Sequence, residues 1–431
     1  MDSSRTSDRS ILIRVMIRIA ALAAVGFYVG TAHLTRGHEA DFGKQWLAAR
    51  LVATGQGRQL FDLGVQREEL EKNYTPEAID HGIWREGIGG PTYPPTFAVV
   101  FAPLGRLSPA AAQWAIVQIS VLLVIVSART LSRLTAGRIS AEAATLATLC
   151  LPSFFLAVGV GQNSAISLAV FVIGFALLAE RRDFAAGLVW GLFAIKPTWG
   201  LAIAWIPVVT LRPRAYLGMA TSASALVVLT IPICGIHSWF DWLAVAGQTE
   251  RYYQMLPRWT ALSRDLPGLL RRIEHGSWVE FAGWVVVGLV IVATARTWWW
   301  RRQTSESSTS EMTGPRAVAL LAAAVLSCPR FMFYDMTLAV VPFLVALAGW
   351  SEMRRGARWV VASLCGLMWV GTGFSYVSSA MLGIPLDTLA LLLLWLWSVT
   401  EAHRGTSTWG TSAQNSGWRG DSQPDWAVKP A

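Results

Sequence analysis

Residues 181–214 read RRDFAAGLVWGLFAIKPTWGLAIAWIPVVTLRPR. The stretch is apolar between two basic ends, Arg181-Arg182 and Arg212 with Arg214, and only the 28 residues 184–211 separate them. As one straight helix those residues would span about 42 Å and set the two basic ends on opposite sides of a membrane. The positive-inside rule asks for the same side. Two short helices folded back at Lys196-Pro197 satisfy it, because proline lacks an N–H and interrupts a helix. Residues 316–351 repeat the design, with the break at Ser327-Cys328-Pro329-Arg330. Broken backbone at membrane depth is tolerated where it lines a protein cavity, and charged groups there are functional candidates. Lys196, Arg330 and Asp335 are those groups. A structural role competes for each: Lys196 can snorkel or bond freed carbonyls, and Asp335 can form a buried pair with Lys196 or Arg330.

Outward from these breaks the chain is of one kind. It is 53% hydrophobic and 15% charged, against about 25% charge for a soluble domain. Long apolar runs recur at 19–32, 109–128, 140–160, 164–179, 215–235, 279–295, 358–377 and 384–400, as membrane helices require. The 22 Trp suit membrane interfaces. Basic clusters alternate with the runs, at Arg5 to Arg18, Arg129 to Arg138, Arg296 to Arg302 and Arg354 to Arg358. The net charge of +9 therefore reflects topology, and no nucleic-acid partner is implied. The four Cys lie in or beside apolar segments without metal-ligand spacing and read as small core residues. The basic start followed by an apolar run resembles a signal peptide, but the many later spans make it a first membrane helix.

The expectation is an all-α polytopic membrane protein of about 12 membrane helices, with two broken hairpins and both termini inside. Residues 1–401 form the membrane domain, with outer loops at 33–92 and 236–278. Residues 402–431 form a disordered tail. The pair 140–160 and 164–179 is a hairpin whose outer turn is Gly161-Gln162-Asn163.

The first outer loop opens at Asp41. Phe42, Trp46, Ala49 and Ala53 recur at helical spacing, with Lys44, Gln45 and Arg50 on the other face and Gly55 as a C-terminal stop. The spacing predicts a short amphipathic helix on the membrane surface, with Asp41 as its N-cap, as a functional carboxylate, or both. Glu39 lies two residues earlier, but a lone carboxylate pair is a weak metal signal, and neither metal nor cofactor is called for. Tyr93-Pro94-Pro95 closes the loop and leads rigidly into an apolar segment.

In this order the motifs resemble glycosyltransferase family 87. They are Asp41-Phe42 with Trp46, Ala48-Ala49-Arg50, Gly55 and Leu60-Phe61-Asp62; Tyr93-Pro94-Pro95 with Ala102-Pro103-Leu104; Gly161-Gln162-Asn163; Gly191 with Lys196-Pro197; and Ser327, Pro329 and Tyr334-Asp335. The likeness covers about 41–345. Cys328 and Arg330 depart from the pattern, since the family often has His shortly after the Ser-Pro break. The resemblance implies a GT-C-like membrane enzyme of the bacterial plasma membrane, acting at its outer face. It implies a polyprenyl-phosphate sugar donor carrying a mannose-like hexose, a glycolipid or glycan acceptor, and Asp41 as catalytic base. Lys196, Arg330, Tyr93, Gln162, Asn163, Asp335 and Arg258 are then the expected donor-phosphate and substrate contacts. An anionic phosphate leaving group needs cations rather than a general acid, and the Arg-rich second loop adds to them.

Two other readings compete. A secondary transporter also places charges at broken helices; its essential carboxylate would be Asp335, where an enzyme's would be Asp41. An inactive glycan-binding scaffold is the third.

Overall fold

The computed structural model describes residues 3–34, 40–85, 88–254, 257–274, 276–300, 314–374 and 384–404. Among the described residues the regular structure is helical, and the only extended pairing is one isolated bridge between Ser263 and Met332. Four helices among the described residues are long and apolar enough to cross a membrane: Ile11–Thr31, Pro109–Leu134, Pro213–Cys234 and Trp278–Trp299. Large apolar side chains face outward on the bundle, Leu22, Leu201 and Phe240 each being more than 60% exposed. Such a surface suits lipid rather than water.

The expected single run 140–160 is two helices, Ala141–Leu149 and Pro152–Gly159, bent by 60°. The cause is local, because Pro152 cannot donate the N–H that would continue the first helix. Counted as one, this pair makes a fifth span. The remaining apolar helices are shorter, so helix length does not by itself supply the expected 12 crossings.

The break at Lys196-Pro197 is present. Helix Asp183–Gly191 tightens into a 3-10 turn, Leu192–Ile195, and helix Pro197–Ala204 begins after it. Arg212 Nη1 donates to Asp183 Oδ1 and to the Leu178 carbonyl, both at 2.7 Å. The two ends of the segment therefore meet, as a fold-back requires. Helix Asp183–Gly191 lies hard against Pro213–Cys234: a methyl on Gly187 would sit 1.9 Å from the Ala215 carbonyl oxygen.

The second break follows the same plan with a different return. Helix Pro315–Leu326 ends at Ser327, and the chain comes back through a 3-10 segment, Phe333–Ala339, before helix Val340–Ala348. The two breaks touch. Ser327 Oγ donates to the Ala202 carbonyl at 3.0 Å and accepts from Trp205 Nε1 at 3.1 Å. Among the basic clusters, Arg18 pairs with Glu142 and Arg138 with Glu352.

Helix Ala40–Ala53 forms as expected and ends at Gly55, whose φ of +82° lets the Gln56 N–H reach back to Leu51 at 2.7 Å. Its setting corrects the surface-helix expectation. Leu47 and Ala48 are at most 1% exposed, and the supposedly solvated Lys44 and Gln45 only 3% and 6%. The loop behind it and helix Pro95–Gly105 cover the polar face. Arg50 is taken up by Glu69 at 2.8 Å and by the Gly105 carbonyl at 3.2 Å. The second outer segment carries helix His237–Gln254, followed by Pro257–Leu262 and Leu266–Leu270. Arg264 anchors it through an ion pair to Asp387 at 2.9 Å, with both side chains fully buried. Helices Arg355–Gly373 and Leu386–His403 take the last two apolar runs. The tail from 405 lies outside the described residues.

Candidate active site

A cavity of about 350 Å³ opens where the two breaks, helix Ala40–Ala53 and the segment 237–271 converge. Asp41, Tyr93, Gln162, Lys196, Arg330 and Asp335 all line it. They come from positions as far as 294 residues apart in the chain, and six of the eight residues singled out in the sequence are thus brought together.

Asp41 stands in the first turn of helix Ala40–Ala53. Gln162 Nε2 donates to Asp41 Oδ2 at 2.8 Å, and the Tyr93 hydroxyl donates to Gln162 Oε1 at 2.9 Å. The tyrosine thereby fixes which end of the amide faces the carboxylate. Asp41 Oδ1 keeps Lys44 Nζ at 3.8 Å. Burial pushes the Lys44 ammonium down to about 8, with Asp41 pulling the other way. Gln45 Nε2 donates to the Gly161 carbonyl at 3.1 Å, and Gly161 has φ +72°. A methyl there would meet Phe42 Cβ at 2.3 Å, so the turn 161–163 presses directly on the start of the Asp41 helix.

At the breaks, Lys196 Nζ lies 2.6 Å from Asp335 Oδ1 and over the Tyr334 ring at 5.5 Å. Trp199 Nε1 approaches the same carboxylate oxygen at 3.4 Å. Of the two partners expected for Asp335, Lys196 is the one found. Arg330 pairs with Glu250, which also faces Arg271 at 3.9 Å. Arg330 sits at φ +54°, a strained position for a residue with a Cβ. Its neighbours hold it there: the Arg264 N–H reaches the Phe331 carbonyl at 2.5 Å, and Met332 bridges to Ser263. Among the described residues the cavity wall carries four cations, Lys44, Lys196, Arg271 and Arg330, and four carboxylates, Asp41, Glu250, Asp265 and Asp335. The expected cation-rich pocket is therefore balanced in formal charge, each basic group arriving with an acid beside it.

Two expected contacts are not in this wall. Asn163 is buried beside it, at the N-cap position of helix Ser164–Ala179, and neither its side-chain oxygen nor its nitrogen has a partner. Arg258 has its side chain outside the described residues. Arg264 and Arg272 of the second loop are structural: one is sealed against Asp387, and the other donates to the carbonyls of Thr260, Ala261 and Ser263. Trp242, Thr249 and Glu250 line the cavity and were not singled out in the sequence. Their signal is the spacing 242, 246, 249, 250, one face of a helix. The flanking Arg and Tyr residues drew attention away from it.

The family model of glycosyltransferase family 87 matches residues 92–329, more than half of the chain. The protein belongs to that family. This family-87 chain is accordingly a membrane glycosyltransferase, and the transporter and inactive-scaffold readings give way to an enzyme. The matched stretch contains the hairpin turn, the break at Lys196-Pro197, Ser327 to Pro329 of the second break, and residues 236–278; Asp41 lies ahead of it, and Arg330 and Asp335 just after it. No curated protein matches the chain, and no solved structure does.

Proposed function

We propose that this family-87 enzyme transfers a mannose-like hexose from a polyprenyl phosphate to an acceptor hydroxyl, with Asp41 as the base. The donor's lipid tail stays in the bilayer and its phosphate enters the end of the cavity bounded by Lys196, Arg271 and Arg330. The acceptor oxygen attacks the anomeric carbon as the carbon–oxygen bond to phosphate breaks. The bonding pair leaves on the phosphate oxygen, and the acceptor proton passes to Asp41 Oδ1. No acid is needed at the leaving group; the guanidinium and ammonium groups stabilise the charge that develops there. A weak base suffices because the proton leaves as the new bond forms. One base acting opposite the leaving group gives inversion at the anomeric carbon.

The observation that carries this reading is the fixing of Asp41. One carboxylate oxygen is tied to Gln162, which Tyr93 orients. The other is left with Lys44 beyond hydrogen-bond reach. Asp335, in contrast, is bonded to Lys196 and approached by Trp199, which suits a supporting part. A carboxylate held at one oxygen and open at the other is ready to accept a proton.

The test is Asp41→Asn in purified full-length protein with polyprenyl-phosphate mannose. Transfer falls by about 10²–10⁴-fold while the circular dichroism and thermal transition stay unchanged. Normal transfer by this variant would end the base assignment.

A further inference from the structure

Helix His237–Gln254 turns one stripe into the cavity: Trp242, Ala246, Thr249 and Glu250. Trp242 is the one large ring in that stripe, and it is held from two directions. Its Nε1 donates to the Thr92 carbonyl at 3.2 Å. Trp239 packs edge-on against it, with centroids 5.8 Å apart and planes at 86°, and is itself fixed by donation to Thr230 Oγ1 at 2.9 Å. With its N–H committed to backbone, the indole offers the cavity a ring surface and no polar group. The chemistry of transfer makes no use of it, since it brings neither charge nor a mobile proton.

The position of the ring narrows what it contacts. Thr92, which fixes the ring, is bonded to Tyr93, whose hydroxyl orients Gln162 and through it Asp41. The segment that aims the carboxylate therefore also sets the ring. Glu250, on the same helix, reaches the Arg330 end. Eight residues of helical rise put about 12 Å along the axis between the two positions, enough for two sugar rings in line. A pyranose has one face of C–H groups with slightly positive hydrogens, and an aromatic face carries the complementary negative quadrupole. A fixed flat ring with polar groups around it is a means of orienting such a ligand.

We propose that Trp242 is the platform on which a sugar ring of the acceptor stacks, so that the hydroxyl presented to Asp41 belongs to a glycan rather than to a protein side chain. This rests on the proposed function in one respect, that the partner on the Asp41 side is the acceptor.

The experiment uses the full chain in lipid nanodiscs and three water-soluble probes: methyl α-mannopyranoside, methyl α-glucopyranoside and methyl α-arabinofuranoside. Saturation-transfer NMR is expected to label the C–H face of at least one probe. Trp242→Ala cuts that signal about tenfold and Trp242→Phe retains most of it. Absence of signal in the wild type, or equal signal in Trp242→Ala, overturns the proposal. In transfer assays with polyprenyl-phosphate mannose, Trp242→Ala raises the KM for the glycoside about tenfold and leaves the donor KM unchanged. A rise in the donor KM alone overturns the acceptor assignment, as does preferential use of a serine/threonine peptide. Asp41→Asn keeps the NMR signal and loses transfer. If it keeps both, the base assignment falls and the Trp242 platform stands.

Discussion

Two helices meet at the cavity and are built in opposite ways. Ala40–Ala53 is enclosed by protein, with its Lys44 and Gln45 buried almost as fully as its two leucines. His237–Gln254 lies half in the open, its Phe240 and Leu243 64% and 57% exposed. The first carries Asp41 and ties it through Gln162 to a turn and a tyrosine from elsewhere in the chain. The second brings Trp242 and Glu250 to the cavity and is secured mainly by side-chain ends. On the proposed function, the contrast assigns rigidity to the group that would have to sit within a fraction of an ångström of the reacting atom. It leaves looser packing where a ligand has to enter and leave.

Breaking the enclosed side has the largest effects. Beyond the 10²–10⁴-fold loss expected for Asp41→Asn, Gly161→Ala should disturb both fold and activity. It forces a Cβ onto a φ of +72° and into Phe42, at a cost of about 1–3 kcal/mol. A lower thermal midpoint together with a lower kcat is the expected result; an unchanged kcat would mean that the turn does not position Asp41.

Tyr93→Phe is milder. It removes the hydroxyl that orients the Gln162 amide, and kcat should fall about tenfold with KM held. A pure KM effect would show the hydroxyl to be a substrate contact instead. Lys44 gives a pH signature of the same enclosure. Its folded pKa, near 8, lies below the unfolded 10.5, so the unfolded chain binds more protons between those values. Stability against unfolding should therefore rise with pH across that window in the wild type, and the rise should vanish in Lys44→Met. Thermal melts from pH 7.5 to 10 test this.

The smallest effect belongs to the open helix. Glu250→Gln removes one partly exposed carboxylate from Arg330 and from Arg271, which keeps Asp265 and Glu280, a change worth about 1 kcal/mol at most. The donor KM should drop a few-fold; a rise would mean that Glu250 itself contacts the donor.

The broken hairpins were legible in the sequence because their cause is local. A proline and a charge interrupt an apolar run, and the basic residues at its two ends ask for the same side. The turn Gly161-Gln162-Asn163 was legible for the same reason. The burial of Lys44 was not. The pattern of Ala40–Ala53 reads as amphipathic, and only the fold reveals that its polar face is met by Glu69, the Gly105 carbonyl and Gly161 instead of water. Charge pairing was legible in part. A buried Lys196–Asp335 pair is one of the readings the sequence offers, and it forms; the carboxylate that meets Arg330 is instead Glu250, on the distant helix His237–Gln254, which the sequence does not mark. Trp242 was obscured among 22 tryptophans, most of which suit a lipid boundary equally well. The bend at Pro152 was missed because a run of apolar residues outweighed its one proline.

The contact between Arg264 and Asp387 bears on how the enzyme can be cut down. A fragment ending at residue 329, where the family-matched stretch stops, would take Asp387 away from the buried Arg264 guanidinium. Removing one partner of such a pair costs about 3–5 kcal/mol, a large share of any domain's stability. Truncations that remove helix Leu386–His403, which carries Asp387, should therefore lower the thermal midpoint, and those that begin beyond His403 should spare it.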